Sequence, residues 1–246
     1  MKRFEGKVAI VTGAGTGIGA ATCGRLADEG ATVIGCVENQ SQLGNVSSFD
    51  GRVLDVTVED DWQAAVTHAK EQHGGLDVLV NNAGMIAAGN VEETTDEQWA
   101  RVLDVNLTGM FRGCRAATPL LRARGGGAVV NLASINSIRG NHRTVAYSAS
   151  KGGVLAFTCA MALDLTPDNI RVNCVCPGSI QTAMIEALFS SSDNPDALRE
   201  AVVAKHPIGR LAEPREVAAL IAFLASDDAS FMTGMAIPVD GGRSIR

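Results

Sequence analysis

Short apolar runs alternate along this chain with longer stretches in which apolar positions recur every three or four residues. The short runs predict strands and the longer ones helices. Val8 to Val11 is the first strand, followed by a glycine-rich turn and a helical stretch to Glu29 that Gly30 closes. Ala31 to Val37, Arg52 to Leu54, Leu76 to Asn81, Ala128 to Ala133, Ile170 to Val175 and Ala236 to Val239 supply six more strands. Between them, helices are expected over 58–73, where Trp62, Val66 and Ala69 share a face, and from Asp96 to about Arg122. Two further helices are expected from about Ala146 to Leu165 and over 213–225.

The strands are apolar throughout rather than strictly alternating, as expected of parallel strands buried on both faces. The reading is therefore α/β: a Rossmann-type doubly wound parallel sheet of about seven strands with helices on both faces, and ligands beyond the carboxyl ends of the strands. No linker, repeat or low-complexity tract divides residues 1–246, so one domain is expected. Residues 186–205, around Ser190-Ser191-Ser192-Asp193-Asn194-Pro195, interrupt the rhythm and are read as a substrate lid.

Composition narrows the picture. Twenty-one basic against 27 acidic residues give a net charge of −6, the wrong sign for a nucleic-acid or anionic-membrane surface. No stretch reaches the ~18 apolar residues of a membrane span. The six cysteines form no C-x-x-C pair, and most read as small buried residues of a cytoplasmic protein. The histidines, His68, His73, His142 and His206, lack metal-ligand spacing, and His68 and His73 are expected on an exposed helix. No metal is expected.

Candidate chemistry begins at Tyr147, the sole tyrosine, four residues before Lys151 and so on the same helical face. A lysine cation beside a phenol favours phenolate. Bringing a phenol from ~10 to near neutrality takes roughly 3–4 kcal/mol of differential stabilisation. Tyr147 can then serve as general base in alcohol oxidation and general acid in carbonyl reduction. Ser134 follows the fifth strand, thirteen residues ahead of Tyr147, where its hydroxyl can bond the same substrate oxygen. Gly13, Gly17 and Gly19 lie between first strand and first helix, where a tight turn lets backbone N–H groups approach a pyrophosphate. The lysine of a P-loop is absent.

Thr12-Gly13-x-x-x-Gly17-x-Gly19, Asn81-Asn82-Ala83-Gly84, Ser134, Tyr147-x-x-x-Lys151 and Pro177-Gly178 occur in this order, and Val239-Asp240-Gly241-Gly242 follows near the end. In this the chain resembles the compact, single-domain short-chain dehydrogenases/reductases over nearly its whole length. The resemblance implies hydride transfer between NAD(P) and a secondary alcohol or ketone. It makes Asn106 a fourth catalytic residue beside Ser134, Tyr147 and Lys151, an asparagine that bends its helix and holds a water leading to Lys151. It places Gly13, Thr16, Gly17, Ile18, Gly19, Asp55, Val56, Asn82, Ala83, Gly84, Tyr147, Lys151, Pro177, Gly178, Ile180 and Thr182 on the cofactor.

The dinucleotide is read at the end of the second strand, Cys36-Val37-Glu38-Asn39. Relatives that use NAD carry an aspartate at the place aligned with Val37; here the acid comes one residue later. No Lys or Arg stands in the glycine loop or just after this strand to receive a 2′-phosphate, so NAD is expected, with Glu38 on the ribose. The short span from Glu38 to Asp55 suggests a loop in place of the family's helix. Substrate choice is assigned to Ser134, Asn136, Arg139, Asn141, His142, Ser179, Met184 and the lid, none of which names a molecule. Rival readings are an NADP-dependent 3-ketoacyl-thioester reductase, an enoyl reductase and a dinucleotide-binding sensor or scaffold. Enoyl reductases space tyrosine and lysine more widely, and loss of Ser, Tyr or Lys would have favoured the sensor. The resemblance also implies a homo-oligomer, dimer or tetramer, through helices 96–122 and 146–165.

Overall fold

The strands are β1 (Val8–Thr12), β2 (Thr32–Val37), β3 (Asp50–Val53), β4 (Val78–Asn81), β5 (Gly127–Leu132), β6 (Ile170–Pro177) and β7 (Ala236–Val239). They form one parallel sheet in the order β3-β2-β1-β4-β5-β6-β7 in a computed structural model that describes residues 2–190 and 192–246. The order reverses direction between β1 and β4, which opens a crevice at their carboxyl ends.

Successive residues of β1 serve opposite layers. Ile10 packs with α2 (Glu59–His73), α4 (Gly109–Ala123) and α5 (Val145–Leu165), through Trp62, Val66, Cys114, Leu121 and Val154. Ala9 and Val11 pack with α1 (Gly17–Asp28) and α8 (Pro214–Ala225), through Leu26, Val217 and Ile221. Gly113 lets α4 approach α2 closely: a Cβ there would lie 2.4 Å from the Trp62 ring. Trp62 is fully buried, and its indole N–H donates to the Val56 carbonyl at 3.1 Å.

Several expected elements differ. β3 begins at Asp50 and β6 extends to Pro177. The helix expected from 96 to 122 is α3 (Asp96–Leu103) and α4 joined by a π-helical turn at Asp104–Thr108. The span after Glu38 is a 3₁₀ helix, Gln40–Val46, pinned by buried Val46. The expected lid contains α6 (Ala183–Ser190) and α7 (Pro195–Val203), with Ser191 outside the described residues. Phe189 anchors α6 in the interior, Asn194 caps α7, and Arg199 ties the two helices through Glu186 at 2.7 Å. No helix among the described residues is long and apolar enough to cross a membrane.

Candidate active site

The turn after β1 is shaped by glycines that admit no side chain. Gly13 and Gly17 have φ of +63° and +54°, where L residues are strained. A Cβ on Gly19 would lie 2.0 Å from the Gly13 carbonyl oxygen. Asn82 holds this turn to β4, its Nδ2 donating to the carbonyls of Thr12 (2.9 Å) and Gly13 (3.2 Å). The Thr12 hydroxyl accepts from the backbone N–H groups of Asn82 and Ala83, both at 3.0 Å. Thr16 stands at the N-cap of α1 and its side chain caps none of the first-turn N–H groups, at the helix end whose dipole favours an anion.

These residues form one side of a cleft of about 370 Å³. Gly13, Thr16, Gly17 and Ile18 line it, with Glu38 beyond the end of β2 and Asp55–Val56 after β3. Asn82, Ala83 and Gly84 line its middle, and Tyr147, Lys151, Thr182 and Met184 its far end. Val37 is buried and packs toward Gly15, so the acid facing the cleft is Glu38. The Asp55 carboxyl is held below the usual carboxylate range: burial pushes it up, but the Thr57 hydroxyl and N–H prevail.

At the far end the phenol of Tyr147 lies beside the Ser134 hydroxyl, whose influence lowers its pKa. Ser134 is buried and its Oγ accepts from the Asn136 N–H at 3.1 Å, within a 3₁₀ turn, Ile135–Ser137. Lys151 lies one turn from Tyr147 and donates to the Leu132 carbonyl at 2.6 Å, with Nζ 5.8 Å from the Tyr147 ring centroid. Burial pushes the ammonium down to about 8. Burial also raises the phenol, against the weaker effect of Ser134. The fall toward neutrality expected for the phenol beside Lys151 is therefore not met in this geometry, where burial outweighs Ser134 and the resting phenol is protonated.

Asn106 sits in the π-helical turn and is fully buried. Its Oδ1 accepts from Met85 N–H at 2.8 Å, and its Nδ2 donates to the Met85 carbonyl (2.9 Å) and to Ser150 Oγ (3.0 Å). Gly84 lies between Asn106 and Lys151: a Cβ there would be 3.2 Å from Asn106 Oδ1 and 3.5 Å from Lys151 Nζ. The side chain thus pins the Gly84–Met85 wall beside Lys151.

Other expected residues lie elsewhere. Pro177, Gly178 and Ile180 do not line the cleft: Ile180 is in the core, and Gly178 packs against His206 and Asp240. Among the substrate candidates, Met184 lines the cleft, whereas Asn136 is buried and bonds Thr144. Ser179 donates its N–H to His206 Nε2 at 3.0 Å. Asn141 and His142 face a separate cavity with Arg139. Arg101 of α3 lines the cleft, 4.0 Å from Glu38. Sequence reading missed it because the cation comes from a distant helix rather than from the loops around β1 and β2.

The histidines are also corrected. His68 and His73 are half-buried, and both Nε2 atoms converge on Asp50 Oδ2, at 2.5 and 2.8 Å. These three groups lie close enough to hold a metal ion. Spacing along one helix hid this because Asp50 comes from β3. Arg52 already places its guanidinium 3.0 Å from Asp50 Oδ1 and 2.9 Å from His68 Nε2, supplying positive charge where a cation would sit. His206 is buried, with Nδ1–H donating to the Val202 carbonyl. Burial holds it below the usual histidine range, with Arg243 lowering it further and Asp240 opposing. Its folded-state pKa is the depressed one, so its contribution to stability is present above ~6.5 and is lost as pH falls through the folded value. Melting curves at pH ~7.5 and ~5 should accordingly differ less in His206→Gln than in the native protein.

The cleft fits a dinucleotide. A Cβ at Gly13 or Gly19 would crowd its glycine turn, the N-terminus of α1 has no side-chain cap, and the Glu38 carboxylate lines the cleft beyond β2. Over residues 13–244 the chain matches the family model described as Enoyl-(Acyl carrier protein) reductase. It is 41% identical to the 3-oxoacyl-(acyl-carrier-protein) reductase of Thermotoga maritima, over 98% of each chain. It is 40% identical to the trans-4-hydroxycyclohexanecarboxylate dehydrogenase of Sinomonas cyclohexanicum, over 98% of this chain and 94% of that one. The ligand-free aldohexose dehydrogenase of Thermoplasma acidophilum superposes with a TM-score of 0.93 at 35% identity, covering 100% of this chain and 96% of the other. With the glycine cradle, the Ser134–Tyr147 pair and the buried lysine on one sheet edge, and likeness running through the length of these relatives, the chain belongs to the short-chain dehydrogenase/reductase family.

Proposed function

We propose that this protein is an NAD-dependent oxidoreductase that interconverts secondary alcohols and ketones, with Tyr147 as general acid and base. The observation that carries the reading is the Tyr147 phenol, beside Ser134 and Lys151 at the end of the cleft that begins at the glycine cradle. Bound NAD supplies the hydride acceptor, and its reduced form the donor. A substrate oxygen placed against Ser134 and Tyr147 receives two hydrogen bonds from the chain. The protonated phenol gives its proton to a ketone oxygen as that oxygen gains charge. In the oxidative direction the phenol must first lose its proton. Lys151, ionised below about 8 and one turn away, keeps a positive charge near the phenolate. Asn106 acts as a positioning residue through Met85, and Asn82 holds the glycine turn.

Names of relatives support both a ring alcohol and a 3-oxoacyl thioester as substrate. The acid at Glu38 favours the NAD-linked alcohol dehydrogenase over the NADP-linked thioester reductase, and the i, i+4 spacing of Tyr147 and Lys151 argues against an enoyl reductase. The tie between α6 and α7, with half-exposed Met184 on the cleft, supports a substrate lid. Assembly through α4 and α5 belongs to the same reading, since these helices leave Phe111 and Leu163 exposed.

The reading is tested by following NADH absorbance with cyclohexanol, cyclohexanone and acetoacetyl thioesters, using both dinucleotides. The kcat/KM with NAD should exceed that with NADP by roughly tenfold or more, because Glu38 repels a 2′-phosphate. Glu38→Gln should narrow the ratio by freeing Arg101 for that phosphate. A native preference for NADP would overturn the cofactor assignment; no turnover of any of these compounds would overturn the enzyme.

A further inference from the structure

Acidic residues outnumber basic ones in this chain, and its arginines are paired accordingly. Of sixteen arginines, twelve lie within 4.0 Å of a carboxylate oxygen. Arg171 instead caps carbonyls, those of Leu224 and Ser226. The remaining three, Arg139, Arg243 and Arg246, all line a single cavity of about 700 Å³, together with Lys205 and His142. Its lining contains no acidic residue. Among the described residues none of these four cations pairs with an Asp or Glu side chain. Arg139 donates to the carbonyl of Arg243 and to the main-chain carboxyl oxygen of Arg246, Arg246 to the carbonyl of Ala204, and Lys205 to Asn141 Oδ1 at 3.5 Å. The nearby Asp240 carboxylate is already taken by the N–H groups of Gly242 and Ser244.

The cations also oppose one another. The Arg243 guanidinium is pushed below its ordinary range by burial and then by Arg139, and the Lys205 ammonium by burial and then by Arg243. In a chain of net charge −6, a concave cluster of four cations, opposed only by the main-chain carboxyl of Arg246 and by Asp240 near Arg243, is what an anionic ligand would neutralise.

Its place relates it to the reaction. The 139–142 segment leads from the Ser134 turn into α5, which carries Tyr147 two residues past its start. Thr144, just before α5, bonds both Asn136 and the Asn141 carbonyl. On the other side Arg243 reaches the Ser179 hydroxyl at 3.5 Å, two residues past the end of β6. The cavity is thus built from the same two segments, after β5 and after β6, that flank the end of the cleft where the substrate oxygen lies.

We infer that the cavity bounded by Arg139, Lys205, Arg243 and Arg246 binds a carboxylate or phosphate carried by the substrate, so that the preferred substrate is an anionic alcohol or ketone. The inference rests on the alcohol dehydrogenase reading, and the experiment separates the two. The kcat/KM of trans-4-hydroxycyclohexanecarboxylate should exceed that of its methyl ester by roughly tenfold or more, the scale of one or two charge-assisted hydrogen bonds. The ratio should shrink at high salt and fall toward one in Lys205→Gln and Arg243→Gln. Calorimetric titration with cyclohexanecarboxylate, which has no hydroxyl to oxidise, reads the site without turnover; inorganic phosphate in parallel shows which anion it prefers. Saturable binding of either anion that both variants weaken supports the site even if no ring alcohol is oxidised, in which case only the reaction assignment fails. Oxidation of cyclohexanol with no preference for acid over ester and no binding of either anion overturns the site and leaves the dehydrogenase standing. A gain seen only when the substrate is tethered to an acidic carrier protein also overturns it.

Discussion

Tyr147→Phe is expected to lower kcat for alcohol oxidation and ketone reduction by about 10²–10⁴-fold, the usual contribution of a positioned acid or base. NADH binding, read by fluorescence, should persist, because the ring still packs beside Lys151 and the glycine cradle is untouched. The substitution removes one oxygen, so a merely structural tyrosine would lose stability rather than turnover. Tyr147 is the only tyrosine, which makes its ionisation directly observable. Ultraviolet titration of the unliganded protein should show one phenol ionising above ~10, and none in the variant. The raised folded-state pKa makes a contribution to stability that is present below ~10 and is lost as pH rises through the folded value. Titration at or below the ordinary value would contradict the desolvated site. Unchanged turnover in Tyr147→Phe would remove the phenol from the mechanism.

Gly19→Ala should damage the cofactor cradle most. The added methyl would stand 2.0 Å from the Gly13 carbonyl oxygen and 2.6 Å from Asn82 Nδ2. The first contact sets a Cβ fixed by the backbone against a backbone oxygen, so no rotamer relieves it; the turn or the start of α1 must move. Overpacking of this kind costs about 1–3 kcal/mol or more. At about 2–4 °C per kcal/mol for a chain this long, the melting midpoint should drop by several degrees. NADH affinity should fall with it, since the N–H groups of the first turn lose their aim. Gly24→Ala on the same helix is the control: nothing lies within 4 Å of the new methyl. There alanine's better helix propensity should stabilise by up to about 1 kcal/mol. Equal effects at both positions would show that helix propensity, not the cradle, governs Gly19.

Much of this architecture was legible in the one-dimensional pattern because burial on a sheet or helix is periodic. The doubly buried strands announced themselves as unbroken apolar runs, as in Val8 to Val11 and Ala128 to Ala133. Tyr147 and Lys151 were legible as a pair because one helical turn separates them. The glycines were legible because a tight turn beside a helix terminus demands them at fixed positions. By itself, then, the sequence determined the doubly wound parallel architecture, its approximate strand count and the residues of the reacting end.

What the tertiary structure alone decided involves groups brought together from distant elements. Arg101 from α3 meets Glu38 after β2 and adds a cation to the end of the cleft that reads the ribose. Asp50 from β3 collects His68 and His73 from α2 and makes an ion network of residues expected to face solvent. Asn106 became a buried clamp on Met85, because only the packed π-helical turn directs it there. The balance between the Lys151 charge and the burial of Tyr147 could not be read from spacing, since desolvation depends on every layer packed above them. Arg139, Arg243 and Arg246, none paired with an acidic side chain, lie more than a hundred residues apart at the extremes, yet they line one cavity. Periodicity records which face of an element is buried; which charges then meet depends on the crossovers, and these exist only in three dimensions.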